Sequence, residues 1–395
     1  MSQDFTIVDV AYRGAGIAKD GGIVTFIPGT LPGEKVRAEI TADKKRFREA
    51  RLVEVLAPSP DRIEPCCRLA DGRRVPGCVY DHVAYPAEVA LKDAQLRNFL
   101  RKLAPSPDVF LAPFASPAPL HYRNKVVFHA QRGAIGYLGD DNRTVVDIES
   151  CPLANTAINF VWSRMRDRMR QQLKDGDTIT FRHTEADGVA SWVNRAPQDA
   201  PWLTEKSAAG ELTLPPDAFF QVNPQVASAL VGQVRDWLRE AREESGADLL
   251  LDLYCGVGVF ALAAASLGFS KIIGIESGRS SIAAARRNAT RLGIESTVFG
   301  CGTVADAAKA RFGGADLTPA IAVADPPRNG MEPIAVETLA RSSLRNFIYV
   351  SCDPATLTRD LATLAGAGFS IRRARMFDMF PRTLHFESAL WLSRS

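Results

Sequence analysis

The chain lacks the features that mark membrane proteins, secreted proteins and proteins built on disulfides. No run among its 395 residues is long and apolar enough to span a bilayer. The N-terminal segment Met1–Phe5 has neither the basic region nor the apolar region of a secretory signal. Seven cysteines, an odd number scattered along the chain, argue against a disulfide framework and for a reducing compartment. We therefore expect a cytoplasmic protein with no membrane partner.

The chain also has little net charge, no internal repeat and no low-complexity tract. Its formal net charge of +3 permits a nucleic acid as a partner without requiring one. With 46% hydrophobic and 24% charged residues, it can bury sizeable cores. The length indicates two or three domains.

The pattern of apolar runs predicts three regions in an α/β fold. Residues 1–57 contain several short alternating strands separated by glycines, which is typical of a small OB-like β-barrel. Residues 58–210 begin with a proline-rich linker and mix helix and strand signals, which predicts an α+β central domain. Residues 211–395 alternate short apolar strands with helices, which predicts a Rossmann-like parallel sheet.

Two basic segments are candidate nucleic-acid contacts. The first is a charge run between the last two strands of the barrel, formed by Lys44, Lys45, Arg46 and Arg48 around Phe47. Such a run is often a solvated loop, but a basic hairpin with an aromatic residue on a small barrel also suits a nucleic-acid backbone. The second is the pair Arg123 and Lys125 at the start of a central strand.

A glycine-containing loop predicts a cofactor site at the edge of the sheet. Gly256 and Gly258 follow a predicted strand and open a helix, and Glu276 ends the next strand, where it can bond a ribose. The third glycine of a dinucleotide loop is replaced by Ala261. Asp252 together with Glu276 suits S-adenosylmethionine better, because that cofactor has no pyrophosphate to cradle. The alternative to a cofactor site is a tight glycine turn that binds no ligand.

Cys352 is the most informative residue of the chain. It ends a short apolar run and precedes a helix start at Asp353 and Pro354, which predicts a thiol at the carboxyl edge of the sheet. Asp325 ends the preceding predicted strand, and Glu387 lies further along the chain. A thiol and two carboxylates beside a cofactor loop predict covalent chemistry on a bound substrate.

Five motifs then occur in the order seen in one known family. They are Phe219–Asn223, Asp252–Gly258, Asp325–Gly330, Ser351–Pro354 and His385–Ser388. Because of these five motifs, the chain resembles the RNA 5-methyluridine (uracil-5) methyltransferases, which act on 23S ribosomal RNA or on tRNA. The N-terminal strands, with Leu31–Glu34, resemble a TRAM domain, an RNA-binding barrel, and this favours the ribosomal RNA branch.

The resemblance implies a role for each matched position. Gln221, Tyr254, Glu276 and Asp325 match positions that bind S-adenosylmethionine. Cys352 matches the nucleophile that adds to carbon 6 of uracil, and Glu387 matches the base that removes the proton from carbon 5. A helix N-terminus after Cys352 is expected to help ionise the thiol, whose ordinary pKa is about 8.5. Carbon 5 alone is a poor nucleophile, which explains the need for the thiol.

The resemblance also implies a metal site that this chain matches only in part. Relatives bind a 4Fe-4S cluster through four cysteines. Cys67, Cys78 and Cys151 match three of them, Val75 occupies the second ligand position, and Cys66 is the remaining candidate ligand. The alternative is a cysteine loop without a cluster.

Other functions remain open at this point. A tRNA uracil-5 methyltransferase, a non-catalytic RNA-binding assembly factor and an NAD-dependent oxidoreductase share some of these features. The combination of Cys352, Asp325 and Glu387 argues against the assembly factor. The glycine loop and the lack of a hydride-transfer constellation argue against the oxidoreductase. We expect a monomer whose main partner is RNA.

Overall fold

The computed structural model describes residues 2–312, 317 and 320–394. Within them lie a closed barrel, a five-stranded sheet, a two-stranded hairpin and a seven-stranded sheet. None of the described helices has the length and apolar character needed to cross a membrane. The mixed α/β fold class predicted from the sequence is confirmed.

Five strands close the N-terminal barrel in the order β1-β2-β3-β5-β4. Their bounds are β1 Ser2–Val10, β2 Ala15–Asp20, β3 Ile23–Pro28, β4 Lys35–Lys44 and β5 Phe47–Ala57. Phe5, Ile7 and Val36 fill its interior, because alternate residues of a strand point to the same face. The glycines around Gly16 suggested a break, yet Gly16 lies inside β2. A Cβ there would come within 1.9 Å of the Thr30 hydroxyl, so close packing explains this glycine.

The central region is built on an antiparallel sheet of order β10-β9-β6-β7-β8, with helix α2 packed against it. The bounds are β6 Lys125–Gln131, β7 Ala134–Leu138, β8 Val145–Asp147, β9 Thr178–Thr184, β10 Gly188–Val193 and α2 Thr156–Gln172. The hairpin of β11 Leu203–Ser207 and β12 Gly210–Leu214 follows. The predicted boundary at residue 210 falls within this hairpin, and the domain division remains a prediction.

The seven-stranded sheet has the order β15-β14-β13-β16-β17-β19-β18. Its strands are β13 Leu249–Leu253, β14 Lys271–Glu276, β15 Thr297–Cys301, β16 Ala320–Ala324, β17 Asn346–Ser351, β18 Ser370–Phe377 and β19 Glu387–Ser393. The first five are parallel, and β19 runs antiparallel to both of its neighbours. Apolar clusters cover both faces of the sheet, which explains its nearly continuous apolar strands.

Helices flank this sheet and position its carboxyl edge. They are α1 Tyr85–Leu100, α3 Pro224–Ser245, α4 Val259–Ala264, α5 Arg279–Arg291, α6 Val304–Ala307, α7 Pro333–Arg341 and α8 Pro354–Gly366. Although α1 lies in the central part of the sequence, its residues Val89, Leu96 and Leu100 join the core on one face of the large sheet. This helix therefore links the central region to the catalytic sheet.

A buried ion network fixes α1 to the loop between β18 and β19. The Lys92 ammonium lies 2.8 Å from the Glu88 carboxylate and 2.7 Å from that of Asp378. Arg382 donates to Glu88 at 3.2 Å, and the Tyr85 hydroxyl donates to Asp378 at 2.9 Å. Buried charges are tolerated only when paired in this way. The network holds the chain that leads into Glu387.

Candidate active site

The loop after β13 has the backbone shape of a ligand cradle. Tyr254, Gly256 and Gly258 have positive φ angles of 61°, 52° and 87°. A Cβ on Gly258 would lie 3.1 Å from the Phe299 ring. Glycine is therefore required at this position for both space and conformation. The loop leads directly into α4, so that backbone N–H groups at its start face the carboxyl edge of the sheet.

Two carboxylates border this loop, as the sequence predicted. Glu276 ends β14 and accepts from the Gly256 N–H at 3.2 Å and the Gly278 N–H at 2.6 Å. Asp252 is fully buried and accepts from the Ala261 N–H at 2.8 Å, while its second oxygen has no partner. Burial raises the pKa of Asp252 to about 8, with further contributions from the carboxylates of Asp325 and Glu276. An unpaired buried oxygen here fits a missing polar ligand.

Tyr254 and Asp325 lie at neighbouring strand ends. The Tyr254 hydroxyl donates to Glu332, just before α7, and Asp325 donates its N–H to Leu253 at 3.3 Å. Burial raises the pKa of the Asp325 carboxyl to about 7. Gln221 lies half-buried before α3, and its side chain makes no hydrogen bond within the described chain. Its amide therefore remains available to a ligand.

Cys352 and Glu387 come from strands that pair directly. Ser351 of β17 lies opposite Ser388 of β19, so the next residue on one strand and the preceding residue on the other are close neighbours. Cys352 is half-buried, whereas the Glu387 side chain is only 3% exposed. The Oε2 atom of Glu387 is buried without a hydrogen-bond partner. A thiol and an unpaired carboxyl group thus lie together at one edge of the sheet.

The electrostatics of the thiol differ from the sequence-based expectation. Burial, followed by the charges of Glu387 and Asp325, raises the pKa of Cys352 to about 12, and Arg328 only partly opposes this. The helix N-terminus gives little help, because the Asp353 carboxylate already accepts from the Ala355 and Thr356 N–H groups. The expectation that the start of α8 lowers the thiol pKa is therefore wrong.

Burial shifts the pKa values of Glu387 and His385 toward their uncharged forms. Burial, reinforced by the Asp325 carboxyl, raises the pKa of Glu387 well above its usual range. Burial and the nearby Arg328 guanidinium lower the pKa of His385 to about 4. The Arg328 guanidinium lies 3.4 Å from the His385 Nε2 atom. Sequence reasoning did not assign Arg328 a role, although its place after Asp325–Pro327 signals proximity to the site.

The predicted RNA-binding residues lie in two different environments. In the barrel hairpin, Lys44 pairs with Glu49 at 2.7 Å and Arg48 with Asp43 at 3.0 Å. Lys45 and Arg46 are exposed at the tip. By contrast, Arg123 and Lys125 are half-buried at the start of β6. Arg123 donates to the Tyr122 hydroxyl at 3.3 Å, and burial lowers the pKa of Lys125. The hairpin is the more accessible of the two candidates.

The cysteine loop does not form a metal site in the part of the chain that the structure describes. No group of three or more histidine, cysteine or acidic side chains there has a metal-binding arrangement. Cys67, Cys78 and Cys151 are buried in one apolar core together with Val75, which is 1% exposed. The Cys66 and Cys67 sulfurs are 4.0 Å apart. Because an apolar side chain fills the second ligand position and the described residues contain no metal-binding arrangement, these residues do not fit a 4Fe-4S cluster.

An arginine-rich groove lies where the barrel meets the cysteine loop. Its volume is about 430 Å³. Its basic lining residues are Arg62, Arg68, Arg73 and Arg74, with His82 at its side. Each arginine faces a carboxylate, as with Arg68 and Asp81 at 3.2 Å. The groove thus combines positive charge with fixed acidic partners.

The glycine loop, its bordering carboxylates and the mainly parallel sheet indicate the class of S-adenosylmethionine-dependent methyltransferases. Residues 211–395 match the family model of the tRNA (uracil-5-)-methyltransferases, and residues 3–53 match the TRAM domain. The chain therefore resembles the RNA uracil-5 methyltransferases over these two segments and has the fold of an S-adenosylmethionine-dependent methyltransferase.

Relatives match over almost the whole length. A 23S rRNA (uracil(1939)-C(5))-methyltransferase RlmD of Shewanella woodyi is 29% identical, over 95% of this chain and 92% of its own. An uncharacterized RNA methyltransferase of Thermosynechococcus vestitus is 27% identical, over 99% of this chain and 98% of its own. A solved structure with a similar fold is the tRNA (uracil-54, C5)-methyltransferase of Pyrococcus abyssi in complex with S-adenosyl-L-homocysteine. Its TM-score is 0.75 at 22% identity, over 98% of this chain and 99% of its own. This last match supports the fold.

Proposed function

We propose that this protein methylates carbon 5 of a uridine in 23S ribosomal RNA, with Cys352 as nucleophile and Glu387 as base. The observation that carries the proposal is the placement of a half-buried thiol beside a buried, unpartnered carboxyl group at the sheet edge. The ribosomal target is supported by relatives named for 23S rRNA. A tRNA target is the alternative, since the Pyrococcus abyssi fold match also spans the barrel region.

The cofactor is proposed to occupy the loop after β13. Gly256, Gly258 and Glu276 border its site, Asp252 offers a buried unpaired oxygen, and Gln221 and Tyr254 extend its polar lining. When bound, S-adenosylmethionine supplies the methyl group and a positive sulfonium. A positive charge near Asp325 and Glu387 favours the ionised forms of the neighbouring acids, including the Cys352 thiol. Cofactor binding is thus expected to counter the high thiol pKa.

The chemical steps follow from the residues at the edge. The Cys352 thiol loses its proton to solvent and its sulfur bonds to carbon 6 of uracil, which moves electron density to carbon 5. Carbon 5 then takes the methyl group, as the methyl–sulfur bond of the donor would break and leave its electron pair on sulfur. Glu387 in its carboxylate form accepts the proton from carbon 5. The electrons of that C–H bond restore the ring double bond as the carbon–sulfur bond breaks and the thiolate leaves. Arg328 lies near both the thiol and His385 and is proposed to position the substrate.

RNA binding is proposed for the barrel hairpin, with Lys44, Lys45, Arg46 and Arg48 contacting phosphates. Changing all four to Gln is expected to weaken RNA binding and to flatten its dependence on salt, because fewer counterions are released. Affinity for the cofactor is expected to stay unchanged. If the affinity for RNA at moderate salt is also unchanged, the arginines of the groove and the pair Arg123 and Lys125 become the next residues to test.

The cysteine loop is proposed to be held by packing of Val75 and its neighbours and to take no part in the reaction. Purified protein is then expected to methylate RNA without bound iron. Iron that co-purifies in a fixed ratio and is lost in a Cys67→Ser, Cys78→Ser variant would contradict this.

The proposed function is tested by RNA carrying 5-fluorouridine, which has no removable proton at carbon 5. Wild-type protein is expected to form an adduct that survives denaturation, and Cys352→Ala is expected to form none while still binding the cofactor. Nucleoside analysis of ribosomal RNA and tRNA from cells without the protein identifies the target. Loss of 5-methyluridine from tRNA alone would replace the ribosomal assignment, and loss from neither would overturn the proposed activity.

A further inference from the structure

The loop that joins β1 and β2 carries a barrel side chain to the catalytic strand. In this loop, Ala11–Gly14, the Tyr12 ring meets the Phe386 ring edge-on with centroids 6.4 Å apart. Phe386 directly precedes Glu387 in the sequence. The Tyr12 ring also packs edge-on against Phe99, at 5.2 Å. The barrel therefore places an aromatic side chain against the residue that precedes the proposed base.

Specific contacts hold the loop in this position. The Ala11 carbonyl accepts from the Gln95 side chain of α1 at 3.3 Å, and Gln95 also donates to the Tyr80 hydroxyl at 2.9 Å. A Cβ on Gly14 would lie 3.1 Å from the Val79 side chain, so the loop packs closely on the central region. The contact is thus built from three parts of the chain and is part of the folded core.

The Tyr12 hydroxyl is a neutral donor in the vicinity of the thiol. Burial, followed by the Asp353 carboxylate, raises its pKa to about 12, and the Cys352 and Arg328 side chains also influence it. The ring is only half-buried, and within the described residues the hydroxyl makes no hydrogen bond. A half-exposed phenol of this kind can donate to an oxygen of a nucleotide placed over Cys352.

Arg13 adopts a backbone conformation that favours glycine. Its φ angle is 86°, similar to the 87° of Gly14, which follows it. Non-glycine residues in this region are uncommon, and such residues cluster at functional sites. The Arg13 side chain is exposed and makes no ion pair among the described residues. Its guanidinium is therefore free to pair with a phosphate.

We propose that Tyr12 and Arg13 form one wall of the uridine site, with Tyr12 contacting the target nucleotide and Arg13 the phosphate next to it. The inference rests on the proposed uridine methylation. It gives the barrel a role in positioning the target uracil, in addition to any binding of more distant parts of the RNA. Both are positioning residues, since neither is assigned a bond-making step.

The test measures single-turnover methylation at saturating RNA for Tyr12→Ala, Tyr12→Phe and Arg13→Gly in the full-length protein. Glycine suits the φ angle of Arg13, so that variant removes the side chain without added backbone strain. Lys19→Gln, which removes an exposed charge from β2 of the same barrel, is the matched control. RNA affinity, cofactor affinity and melting temperature are measured for each variant.

Tyr12→Ala and Arg13→Gly are expected to lower the saturating rate about tenfold or more, because a misplaced base reacts slowly even when RNA is bound. Tyr12→Phe keeps the ring contacts, so its saturating rate is expected to fall less than that of Tyr12→Ala, by the share that the hydroxyl contributes. Cofactor affinity and the Lys19→Gln rate are expected to stay near the wild-type values. A saturating rate within twofold of wild type for Arg13→Gly and Tyr12→Phe would overturn the inference, even if Tyr12→Ala fails to fold. Lack of methylation by the wild-type protein would instead refute the proposed function itself.

Discussion

The high pKa of the Cys352 thiol has a measurable consequence for its reactivity. With a pKa of about 12 in place of 9.0, the thiolate fraction at pH 8 falls from about 1 in 10 to about 1 in 10⁴. A more basic thiolate is intrinsically more reactive, and for a Brønsted slope of about 0.4–0.5 this recovers roughly 15- to 30-fold. In the absence of ligands, Cys352 is therefore expected to react with iodoacetamide about 30- to 60-fold more slowly than an ordinary thiol.

The measurement follows carboxamidomethylation of the Cys352 peptide by mass spectrometry from pH 7 to 10. Cys301, which is exposed, serves as the reference thiol within the same chain. The rate at Cys352 is expected to rise about tenfold for each pH unit throughout the range, because the pKa lies above it. Asp325→Asn removes a charge that raises the thiol pKa and is expected to increase the rate. Arg328→Gln removes a charge that lowers it and is expected to decrease the rate about 2- to 10-fold.

Two outcomes would refute this reasoning. One is a rate at Cys352 that levels off below pH 9, which would mean that the thiol ionises as readily as a free cysteine. The other is the reverse order of the Asp325→Asn and Arg328→Gln rates, which would mean that these two charges do not govern the thiol.

Three further predictions concern the catalytic base, the pH dependence of stability and the buried ion network. Glu387→Gln is expected to slow proton removal, and with it product release, by about 10²- to 10⁴-fold. A covalent adduct with ordinary RNA should then accumulate and be visible in denaturing gels. Equal loss of adduct and product would place the base elsewhere. Folding raises the pKa of Asp252 to about 8. Its favourable contribution to the free energy of unfolding is therefore complete below about pH 4 and is lost as the pH rises through 8. Asp252→Asn is therefore expected to gain stability relative to wild type, by a few kcal/mol, between pH 5 and 8 in thermal unfolding, and a constant difference would contradict this. Lys92→Met leaves the buried Asp378 carboxylate without a cation and Glu88 with Arg382 alone, and it is expected to cost about 3–5 kcal/mol in urea unfolding. Lys206→Met, at an exposed ion pair, is expected to cost less than about 1 kcal/mol.

Local pattern was enough to predict much of the fold. The closed barrel and the parallel sheet followed from strand periodicity and turn residues, since alternating or continuous apolar runs have few ways to be buried. The sequence motifs also indicated that Cys352, Asp325 and the loop after β13 share one edge, because the ends of parallel strands meet there. Roles for Cys352 and Glu387 remain predictions that rest on family resemblance and on this geometry.

Only the tertiary structure decided the environment of those residues. The thiol pKa depends on carboxyl groups from β16 and β19, which are distant in sequence, and on the use of the first α8 amides by Asp353. Likewise, no local pattern places Tyr12 against Phe386, because that contact needs the barrel and the sheet to pack together. Periodicity reports which face of an element is buried, whereas charge, desolvation and contact between domains depend on residues that only folding brings together.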